Sequence, residues 1–496
     1  MTESGRTLAE LGLTARPPAA SGLRVTGIAV DSRKVREGVL FAAMPGSRMH
    51  GAEFTDAVLR MGAAAILTDA AGARIAAPAL ARHPAAALIV AEDPREALAR
   101  AAALWSGAQP GVMVAVTGTN GKTSVASFTR QIWTVLGHAA INIGTTGVEG
   151  AWHAPSPHTT PEPLTLHAML AEAAAAGVTH AAMEASSHGL DQRRLDGVRL
   201  VAAGFTNLTQ DHLDYHHTME GYLAAKAGLF TRVLPDDGVA VVNLDDARGP
   251  EVAEICRRRG LRVLATGRAA GADLRILGQR PDETGQEVRF QWQGQPVQAR
   301  MGLIGDFQAA NVAVAAGLAI AAGDAPEAVF AALPRLETVW GRMQLVARRR
   351  NGAAVYVDYA HTPDAIATAL RALRPHVMGR IVIVFGAGGD RDRGKRPLMG
   401  AAAAAGADVL YVTDDNPRSE DPAAIRAAVL EGCPEANEVG DRAEAILRGV
   451  DALQPGDALL IAGKGHESGQ EIGGQVYPFD DAEQASVAVA ALDGMI

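Results

Sequence analysis

Residues 117–124 read Thr-Gly-Thr-Asn-Gly-Lys-Thr-Ser and directly follow an apolar run at 112–116. A β-strand that ends in a glycine-rich turn, with a lysine and a hydroxyl residue at the start of the next helix, can hold a nucleoside triphosphate. Backbone N–H groups would surround the phosphates, Lys122 would supply positive charge and Thr123 could reach a Mg²⁺ ion. Val116 stands where the common form of this loop has its first glycine. The sequence therefore predicts a variant phosphate-binding loop, with a glycine-rich turn of no function as the alternative.

Polar side chains also end two later apolar runs. Glu184 follows the run at 179–183, and Asn207 and His212 follow the run at 201–206. A carboxylate and an imidazole at strand ends near a phosphate loop could hold Mg²⁺ ions that bridge the phosphates. The histidine could instead belong to the solvated start of a helix. A zinc site is less favoured, because nothing nearby supplies a convincing third and fourth ligand.

Lys226 is the one charged residue of the apolar run at 222–230, which is typical of a helix. On a surface helix it needs no special role, because the apolar stem can lie along the protein while the amine stays in water. If Lys226 is buried beside a metal site, burial lowers the pKa of its amine, and the neutral amine can react with carbon dioxide. The resulting carbamate would be a metal ligand. The sequence leaves both alternatives open.

Two charged clusters follow apolar runs in the last third of the chain. Residues 386–395 are rich in glycine and charge, but their spacing does not meet the dinucleotide-binding pattern, so they favour an anion-binding loop. Asp415, Asn416 and Arg418 stand within four residues, stiffened by Pro417. The guanidinium could bind a carboxylate while the other two side chains bind an ammonium group. This segment is either an amino-acid-binding loop or a simple turn.

The elements that must position these residues alternate between strands and helices in three blocks. Residues 1–108 carry short strand-like runs, and residues 107–111 are typical of a linker. The middle block repeats strand–helix units, except that residues 272–303 favour antiparallel strands, and the third block begins near 336–341. The predicted strands are 26–30, 39–43, 64–67, 86–90, 179–184, 201–207, 239–243, 262–265, 353–358, 380–385, 408–413 and 457–462. This pattern predicts an α/β fold with mostly parallel sheets, whose ligands bind beyond the carboxyl ends of the strands.

Composition narrows the class of protein. Of the 496 residues 48% are hydrophobic and 20% charged, which is sufficient for packed cores, and the net charge of −9 argues against nucleic-acid or membrane-surface binding. Cys256 and Cys433 are too few for a disulfide framework or a cysteine zinc site, and neither lies in a motif. The start of the chain lacks the pattern of a signal peptide, and no apolar stretch is long enough to span a bilayer. We expect a cytoplasmic monomer.

Together the motifs resemble one family, the Mur ligases of peptidoglycan synthesis. The resemblance rests on Thr-Gly-Thr-Asn-Gly-Lys-Thr-Ser at 117–124, Thr-Thr-Pro at 159–161, Glu-Ala-Ser-Ser-His at 184–188, residues 207–214, Ala-Ala-Lys at 224–226, Gly-Arg-Met at 341–343, Asp-Tyr-Ala-His at 358–361 and Gly-Lys-Gly-His at 463–466. Asp-Ser-Arg at 31–33, residues 389–397 and Asp-Asn-Pro-Arg at 415–418 are similar to the branch of the family that adds the third amino acid. Val116 belongs to the loop form of this family.

The resemblance implies three α/β domains and a role for each matched residue. The domains are a small N-terminal UDP-substrate-binding domain (1–108), a central, mostly parallel-sheet P-loop ATP-binding domain (109–337) and a C-terminal Rossmann-like amino-acid-binding domain (338–496). The residues implied for ATP are Gly118, Thr119, Asn120, Gly121, Lys122, Thr123, Ser124, Asn311, Arg342 and Asp358. Those implied for Mg²⁺ are Thr123, Glu184, His212 and carbamylated Lys226, and the last three are catalytic together with Lys122. Those implied for the UDP substrate are Val30, Ser32, Thr159, Thr160, Ser186, Gln192 and Arg194. Those implied for diaminopimelate are Arg391, Asp415, Asn416, Pro417, Arg418, Gly463 and Glu467.

The implied reaction joins meso-2,6-diaminopimelate to UDP-N-acetylmuramoyl-L-alanyl-D-glutamate through an acyl-phosphate made from ATP. Arg418 favours diaminopimelate over L-lysine, because L-lysine has no distal carboxylate to pair with a buried guanidinium. An L-lysine-adding or folylpolyglutamate-type ligase and an uncoupled ATPase are alternatives. An inactive nucleotide-binding regulator is another alternative, but the intact Lys122, Glu184, His212 and Lys226 argue against it.

Overall fold

The structure, a computed structural model, describes residues 5–46, 49–156 and 158–495. Its backbone contacts divide the chain into two compact units. Unit 1 comprises Met1–Thr266 and Val314–Ala325, and unit 2 comprises Gly267–Ala313 and Pro326–Ile496. In the described part of the chain, no helix combines the length and the apolar composition needed to cross a membrane.

The amino-terminal part of unit 1 is a small α/β assembly. Its strands are β1 (Arg6–Thr7), β2 (Ala15–Arg16), β3 (Arg24–Val25), β4 (Gly27–Ala29), β5 (Val39–Ala42), β6 (Ala65–Thr68) and β7 (Ala87–Val90), and its α-helices are α1 (Thr55–Arg60), α2 (Ala70–Arg82) and α3 (Pro94–Ser106). The main sheet has the order β2-β7-β6-β5-β4 and is parallel except for β2. Helix α3 begins at Pro94 because the Asp93 carboxylate accepts hydrogen bonds from two N–H groups of its first turn.

The rest of unit 1 is built on a larger sheet. Its strands are β8 (Val112–Thr117), β9 (Ala140–Gly144), β10 (Gly147–Gly150), β11 (His180–Glu184), β12 (Ala202–Phe205), β13 (Val239–Asn243) and β14 (Arg262–Gly267). Its α-helices are α4 (Lys122–Val135), α5 (Pro163–Ala175), α6 (Ser187–Asp191), α7 (Leu213–His216), α8 (Met219–Gly228) and α9 (Gly249–Arg258), and a π-helical turn, Leu229–Val233, follows α8. The order is β10-β9-β11-β8-β12-β13-β14, and only β10 is antiparallel to its neighbour. Strand β8 is central and buried, as expected for a parallel strand covered on both faces.

Unit 2 contains an antiparallel meander and a second parallel-rich sheet. The meander strands are β15 (Leu274–Asp282), β16 (Gly285–Trp292) and β17 (Gln295–Met301), and the later strands are β18 (Gln344–Arg348), β19 (Ala354–Asp358), β20 (Ile381–Phe385), β21 (Val409–Val412), β22 (Asn437–Glu438), β23 (Ala458–Ala462), β24 (Gly469–Ile472) and β25 (Gln475–Pro478). The helices are α10 (Phe307–Ala321), which belongs to unit 1 from Val314 onwards, α11 (Pro326–Ala332), α12 (Pro363–Leu373), α13 (Lys395–Gly406), α14 (Pro422–Leu430), α15 (Arg442–Asp451) and α16 (Asp481–Leu492). The second sheet has the order β18-β19-β23-β20-β21-β22 with only β18 antiparallel, and β24 and β25 form a separate hairpin.

The predicted α/β fold with mostly parallel sheets is confirmed. Every strand predicted from an apolar run is present, with its ends displaced by at most two residues, and the strand at 239–243 has the predicted ends. The antiparallel character predicted for residues 272–303 is also confirmed. The strands that were not predicted are β1, β2, β3, β9, β10, β18, β22, β24 and β25.

Candidate active site

The predicted phosphate loop joins the central strand β8 to helix α4. Gly118 and Gly121 both have positive φ, +149° and +85°, which a residue with a side chain rarely adopts. At Gly118 there is also no room, because an added Cβ would lie 1.9 Å from the Thr206 hydroxyl oxygen. The N–H of Asn120 donates to Asn207 Oδ1 at 2.9 Å, so the segment after β12 holds the loop in shape.

Two lysines converge on one carbonyl oxygen of this loop. Lys122 Nζ donates to Gly118 O at 2.9 Å, and Lys226 Nζ donates to the same oxygen at 2.7 Å. Lys226 is 1% exposed, and its amine lies 4.4 Å from the centre of the Tyr222 ring. Burial, and then repulsion by Lys122, hold the pKa of the Lys226 amine well below its ordinary value. Of the two alternatives left open by the sequence, Lys226 is therefore buried and not at the surface of its helix. Its amine can react in the neutral form.

Glu184 lies at the end of β11, beside the first turn of α4. Its carboxylate accepts hydrogen bonds from the Thr123 hydroxyl at 3.1 Å and from the N–H of Thr145 at 2.8 Å. A Cβ on Gly144 would lie 1.9 Å from Glu184 Oε1, so the backbone of β9 approaches the carboxylate closely. The carboxylate is thus fixed next to the hydroxyl that the loop offers to a cation.

His212 immediately precedes α7 and has a positive φ of +52°. Its side chain is 45% exposed and contacts the rings of His188 and Tyr222, with centroids 4.9 and 6.1 Å apart. Since Tyr222 also lies under the Lys226 amine, the imidazole belongs to the same end of the sheet as the loop.

These groups fit a Mg²⁺ site of the kind that the sequence implies. A hydroxyl and a buried carboxylate are the oxygen ligands that Mg²⁺ prefers, and the carbamate of Lys226 would add another. The lysine meets the chemical requirement for carbamylation, because burial favours its neutral amine. In the described ranges there is no cluster of three or more His, Cys, Asp or Glu side chains arranged around a common metal position.

Most residues implied for the UDP substrate form one hydrogen-bonded group in unit 1. The Thr160 hydroxyl donates to Glu184 O at 2.9 Å and accepts from the N–H of Ser186 at 2.9 Å. Arg194 donates to Thr160 O at 2.7 Å and to Gln192 Oε1 at 2.8 Å. These side chains therefore lie next to the carboxyl end of β11, where Glu184 stands.

The remaining residues implied for this substrate have fewer contacts. The Thr159 hydroxyl is 3.0 Å from that of Thr145, next to Glu184. Ser32 opens a 3₁₀ turn capped by the Asp31 side chain, and the half-exposed Val30 precedes it.

In unit 2, Asp358 ends β19 and is held by the backbone. It accepts hydrogen bonds from the N–H groups of Met343, at 2.7 Å, and Ala360, at 2.8 Å. Burial raises the pKa of Asp358, an effect that the Arg342 guanidinium and these N–H groups oppose. Arg342 stacks on the Tyr359 ring at 4.5 Å. Asn311 lies on α10 and donates to Gln308 Oε1 at 3.1 Å.

The segment 415–418 follows β21, and Arg418 is held in a defined orientation. Its φ is +51°, its Nε donates to Glu471 Oε2 at 3.1 Å, and its Nη1 donates to Gly389 O at 2.8 Å. A Cβ on Gly389 would lie 1.9 Å from Pro417 O, so the two loops touch through their backbones. Among the described residues, none accepts a hydrogen bond from Arg418 Nη2. One edge of the guanidinium is therefore available to a ligand.

Asn416 and Glu467 are linked in the same region. Asn416 Nδ2 donates to Glu467 Oε2 at 2.8 Å, and Asn416 Oδ1 accepts from Lys464 Nζ at 3.0 Å. Asp415 is buried, and its carboxylate approaches Gly463, where an added Cβ would lie 2.5 Å from Oδ2. The structure therefore brings four of the residues implied for diaminopimelate into one group.

Arg391 lies at the edge of this group. It is exposed, and a Cβ built on Gly388 would lie 3.9 Å from Arg391 Cγ and 3.0 Å from Arg418 Nη1. The side chains of Arg391 and Arg418 therefore both lie near Gly388.

Comparisons with known proteins identify the family of this chain. Three family models match successive parts of the chain. Residues 24–106 match the model described as 'Mur ligase family, catalytic domain', and residues 116–319 match 'Mur ligase middle domain'. Residues 341–465 match 'Mur ligase, glutamate ligase domain'. Two relatives, from Bradyrhizobium diazoefficiens and Caulobacter vibrioides, are each 50% identical to this chain. Each alignment covers 96% of this chain, and it covers 96% of the first relative and 98% of the second. Both relatives are named UDP-N-acetylmuramoyl-L-alanyl-D-glutamate–2,6-diaminopimelate ligase.

The chain belongs to the Mur ligase family. It is therefore an ATP-dependent ligase that forms an amide bond, as the sequence motifs predict. A solved structure of a UDP-N-acetylmuramoyl-L-alanyl-D-glutamate–2,6-diaminopimelate ligase is similar to this Mur ligase over 95% of both chains, with 35% identity and a TM-score of 0.69. The predicted three-domain α/β architecture is confirmed by this similarity and by the three successive family models.

No role was predicted from the sequence for several residues that contact the candidate site. They are Thr145, Lys464, Gln470 and Glu471. Lys464 could have been found, because it is an amine in a glycine-rich cluster directly after a strand, like Lys122. The other three carry no such signal, since their role comes from contacts made by the fold.

Proposed function

We propose that this Mur ligase joins meso-2,6-diaminopimelate to the D-glutamate of UDP-N-acetylmuramoyl-L-alanyl-D-glutamate, with release of ADP and phosphate. The observation that carries the choice of amino acid is the environment of Arg418. Glu471 and Gly389 O fix two of its nitrogens, while Nη2 stays available. A guanidinium held in this way matches the distal carboxylate that diaminopimelate has and L-lysine lacks. The printed names of the relatives support the same assignment.

The reaction has two steps. An oxygen of the terminal D-glutamate carboxylate attacks the γ-phosphorus of ATP, the bond from that phosphorus to the bridging oxygen breaks, and ADP leaves. A neutral amine of diaminopimelate then attacks the acyl carbon. The acyl C–O bond breaks, inorganic phosphate leaves and the new amide nitrogen loses a proton. In both steps the protein contributes mainly position and charge stabilisation.

The residues of unit 1 act on the phosphates. Lys122 and the N-terminus of α4 stabilise negative charge on the nucleotide and on the transferred phosphoryl group. Mg²⁺, held by Thr123, Glu184, His212 and the carbamate of Lys226, would neutralise phosphate charge when bound. The carbamate forms when the neutral Lys226 amine adds to carbon dioxide and loses a proton.

Further roles are part of the proposal. In unit 1 the UDP substrate is bound by the group around Thr160 and Arg194. In unit 2 Arg342, Asp358 and Asn311 bind the nucleotide, and the group around Asn416 and Arg418 binds the amino acid. The boundaries 1–108, 109–337 and 338–496, a monomeric state and a cytoplasmic location remain predictions.

Phosphate release tests the function directly. The purified enzyme, with ATP, Mg²⁺ and the UDP-muramoyl dipeptide, is compared in three reactions containing meso-diaminopimelate, L-lysine or no amine. Rapid release only with diaminopimelate supports the proposal. Equal rates with L-lysine would overturn the choice of amino acid, and equal release without an amine would indicate an uncoupled ATPase.

A further inference from the structure

Lys464 is a completely buried lysine that none of the roles described above uses. It lies between Gly463 and Gly465, directly after β23, and its side chain is 0% exposed. Its ammonium donates to Asn416 Oδ1 at 3.0 Å and to Glu467 Oε2 at 3.2 Å. Both partners belong to the proposed amino-acid site. Since no part of Lys464 reaches the surface, it can act on a ligand only through these two side chains.

We propose that Lys464 is the positioning residue of the amino-acid site, which orients Asn416 and Glu467 toward the incoming amine substrate. The inference rests on the proposed function, because it takes the group around Asn416 as the amino-acid site. It goes beyond that function by naming the residue that gives the site its arrangement of donors and acceptors.

The first part of the argument concerns the Asn416 amide. Its Oδ1 is shared between Lys464 Nζ and the N–H of Glu471, which lies 2.9 Å away. An ammonium and a backbone N–H can only donate, so the side of the amide facing them must be the oxygen. The amide nitrogen then faces Glu467, and its second N–H is left for a ligand. Without Lys464, one of the two donors that determine this orientation is lost.

The second part concerns charge. Glu467 Oε2 accepts from both Lys464 and Asn416, while its side chain remains about one-third exposed. Lys464 therefore balances the carboxylate and holds one oxygen, which leaves the other oxygen to accept a hydrogen bond from an ammonium group. Fixing the two ligand-facing groups in advance lowers the cost of ordering them when the substrate binds.

The test is kinetic analysis of Lys464→Met, which keeps the length of the side chain and removes the charge. We expect kcat/KM for diaminopimelate to fall about 100-fold, the loss expected when reacting groups are misplaced by about 1 Å. KM for ATP and for the UDP substrate should stay at wild-type values, because their proposed ligands do not contact Lys464.

Arg349→Met is the matched control. Arg349 is a partly buried cation of the same unit, paired with Asp493 at 2.8 Å, and has no proposed contact with substrate. The Arg349→Met variant should have a lower melting temperature and an unchanged KM for diaminopimelate. Lys464→Gln, which can still donate to Asn416, should lie between wild type and Lys464→Met.

Two results would overturn the inference. One is an unchanged kcat/KM for diaminopimelate in a folded Lys464→Met variant. The other is loss of the cooperative melting transition in both Lys464 variants, which would make Lys464 a support of the fold. If the wild-type enzyme itself fails to use diaminopimelate, the proposed function fails instead, so the two failures are distinguishable.

Discussion

Lys122 and Lys226 donate to the same carbonyl oxygen, and burial together with this shared contact favours the neutral form of Lys226. Lys226 is removed from water, and two ammonium groups on one acceptor also repel each other. Both effects favour the neutral amine, which is the form that reacts with carbon dioxide. Burial disfavours the ammonium form of Lys226, and the proposed carbamate would supply oxygen ligands for Mg²⁺.

Carbamylation of Lys226 is therefore the first prediction. The wild-type enzyme equilibrated with ¹³C-labelled bicarbonate should show a carbamate carbon signal by NMR, and Lys226→Met should not. The variant should also lose about 10²–10³ in kcat, a loss comparable to removal of one charge-stabilising group from an active site. An active variant, or a wild-type enzyme without the signal, would contradict the prediction.

Arg418 carries the second prediction. Substitution by alanine removes a charge-assisted contact to the distal carboxylate, which costs about 2–5 kcal/mol when the partner charge stays buried and unpaired. Arg418→Ala should therefore lower kcat/KM for diaminopimelate strongly and leave KM for ATP unchanged. Arg349→Ala is the control for loss of a guanidinium elsewhere in unit 2. If Arg418→Ala weakens the use of diaminopimelate and of ATP equally, Arg418 supports the fold and does not recognise the amino acid.

At the scale of the elements, the parallel sheets explain why these residues meet. Strands β9 and β11 are neighbours and run in the same direction, so Gly144 and Glu184 both lie at their carboxyl ends. There is no room for a side chain at position 144, because a Cβ on Gly144 would lie 1.9 Å from the Glu184 carboxylate.

Gly144→Ala is the third prediction and tests this packing. The methyl group must displace the Glu184 carboxylate, so we expect kcat to fall about tenfold or more, since a small misplacement of a catalytic group is costly. Gly278→Ala is a suitable control, because a Cβ there meets no atom within 4 Å. Wild-type kcat in Gly144→Ala would show that Glu184 need not occupy this position.

The elements also show what the sequence could and could not predict. Strands such as β8, β13 and β23 are buried on both faces and therefore appear as continuous apolar runs. Hairpin strand β25 is exposed along its whole length, so it gives no apolar signal. Yet the hairpin contacts the proposed amino-acid site, since the N–H of Arg418 donates to Glu471 O at 3.0 Å. Backbone contacts of this kind do not depend on side-chain type and leave little trace in a sequence.

At the scale of the whole molecule, the site depends on contacts between distant parts of the chain. Lys122, Glu184 and Lys226 could be recognised one by one, because each lies in a local motif. The bond between Lys464 and Asn416 joins residues 48 positions apart, and no local pattern reports such a pair. The motifs therefore predicted candidate residues one by one, while the fold was needed to show which of them contact one another.

A titratable group away from the proposed site affects the stability of unit 1. His167 on α5 is 1% exposed, and no hydrogen bond of normal geometry reaches either ring nitrogen from the described residues. Burial lowers the pKa of His167 from 6.5 to about 4, and Arg199 adds to this, while the backbone of Asp196 partly opposes it. The folded protein therefore holds this imidazole neutral at pH values where the unfolded chain would protonate it.

The fourth prediction is a loss of stability in acid that depends on His167. Because the folded pKa is depressed, the stabilisation is complete above pH 6.5 and is lost as the pH falls toward 4. At about 1.4 kcal/mol for each unit of separation between the two pKa values, the free energy of unfolding should fall by a few kcal/mol at most. Urea unfolding followed at several pH values between 7 and 4 measures this loss. His167→Leu should reduce it without abolishing it, since burial also lowers the pKa of His466 in unit 2 to about 4. An unchanged pH dependence in the variant would show that other groups account for the acid sensitivity.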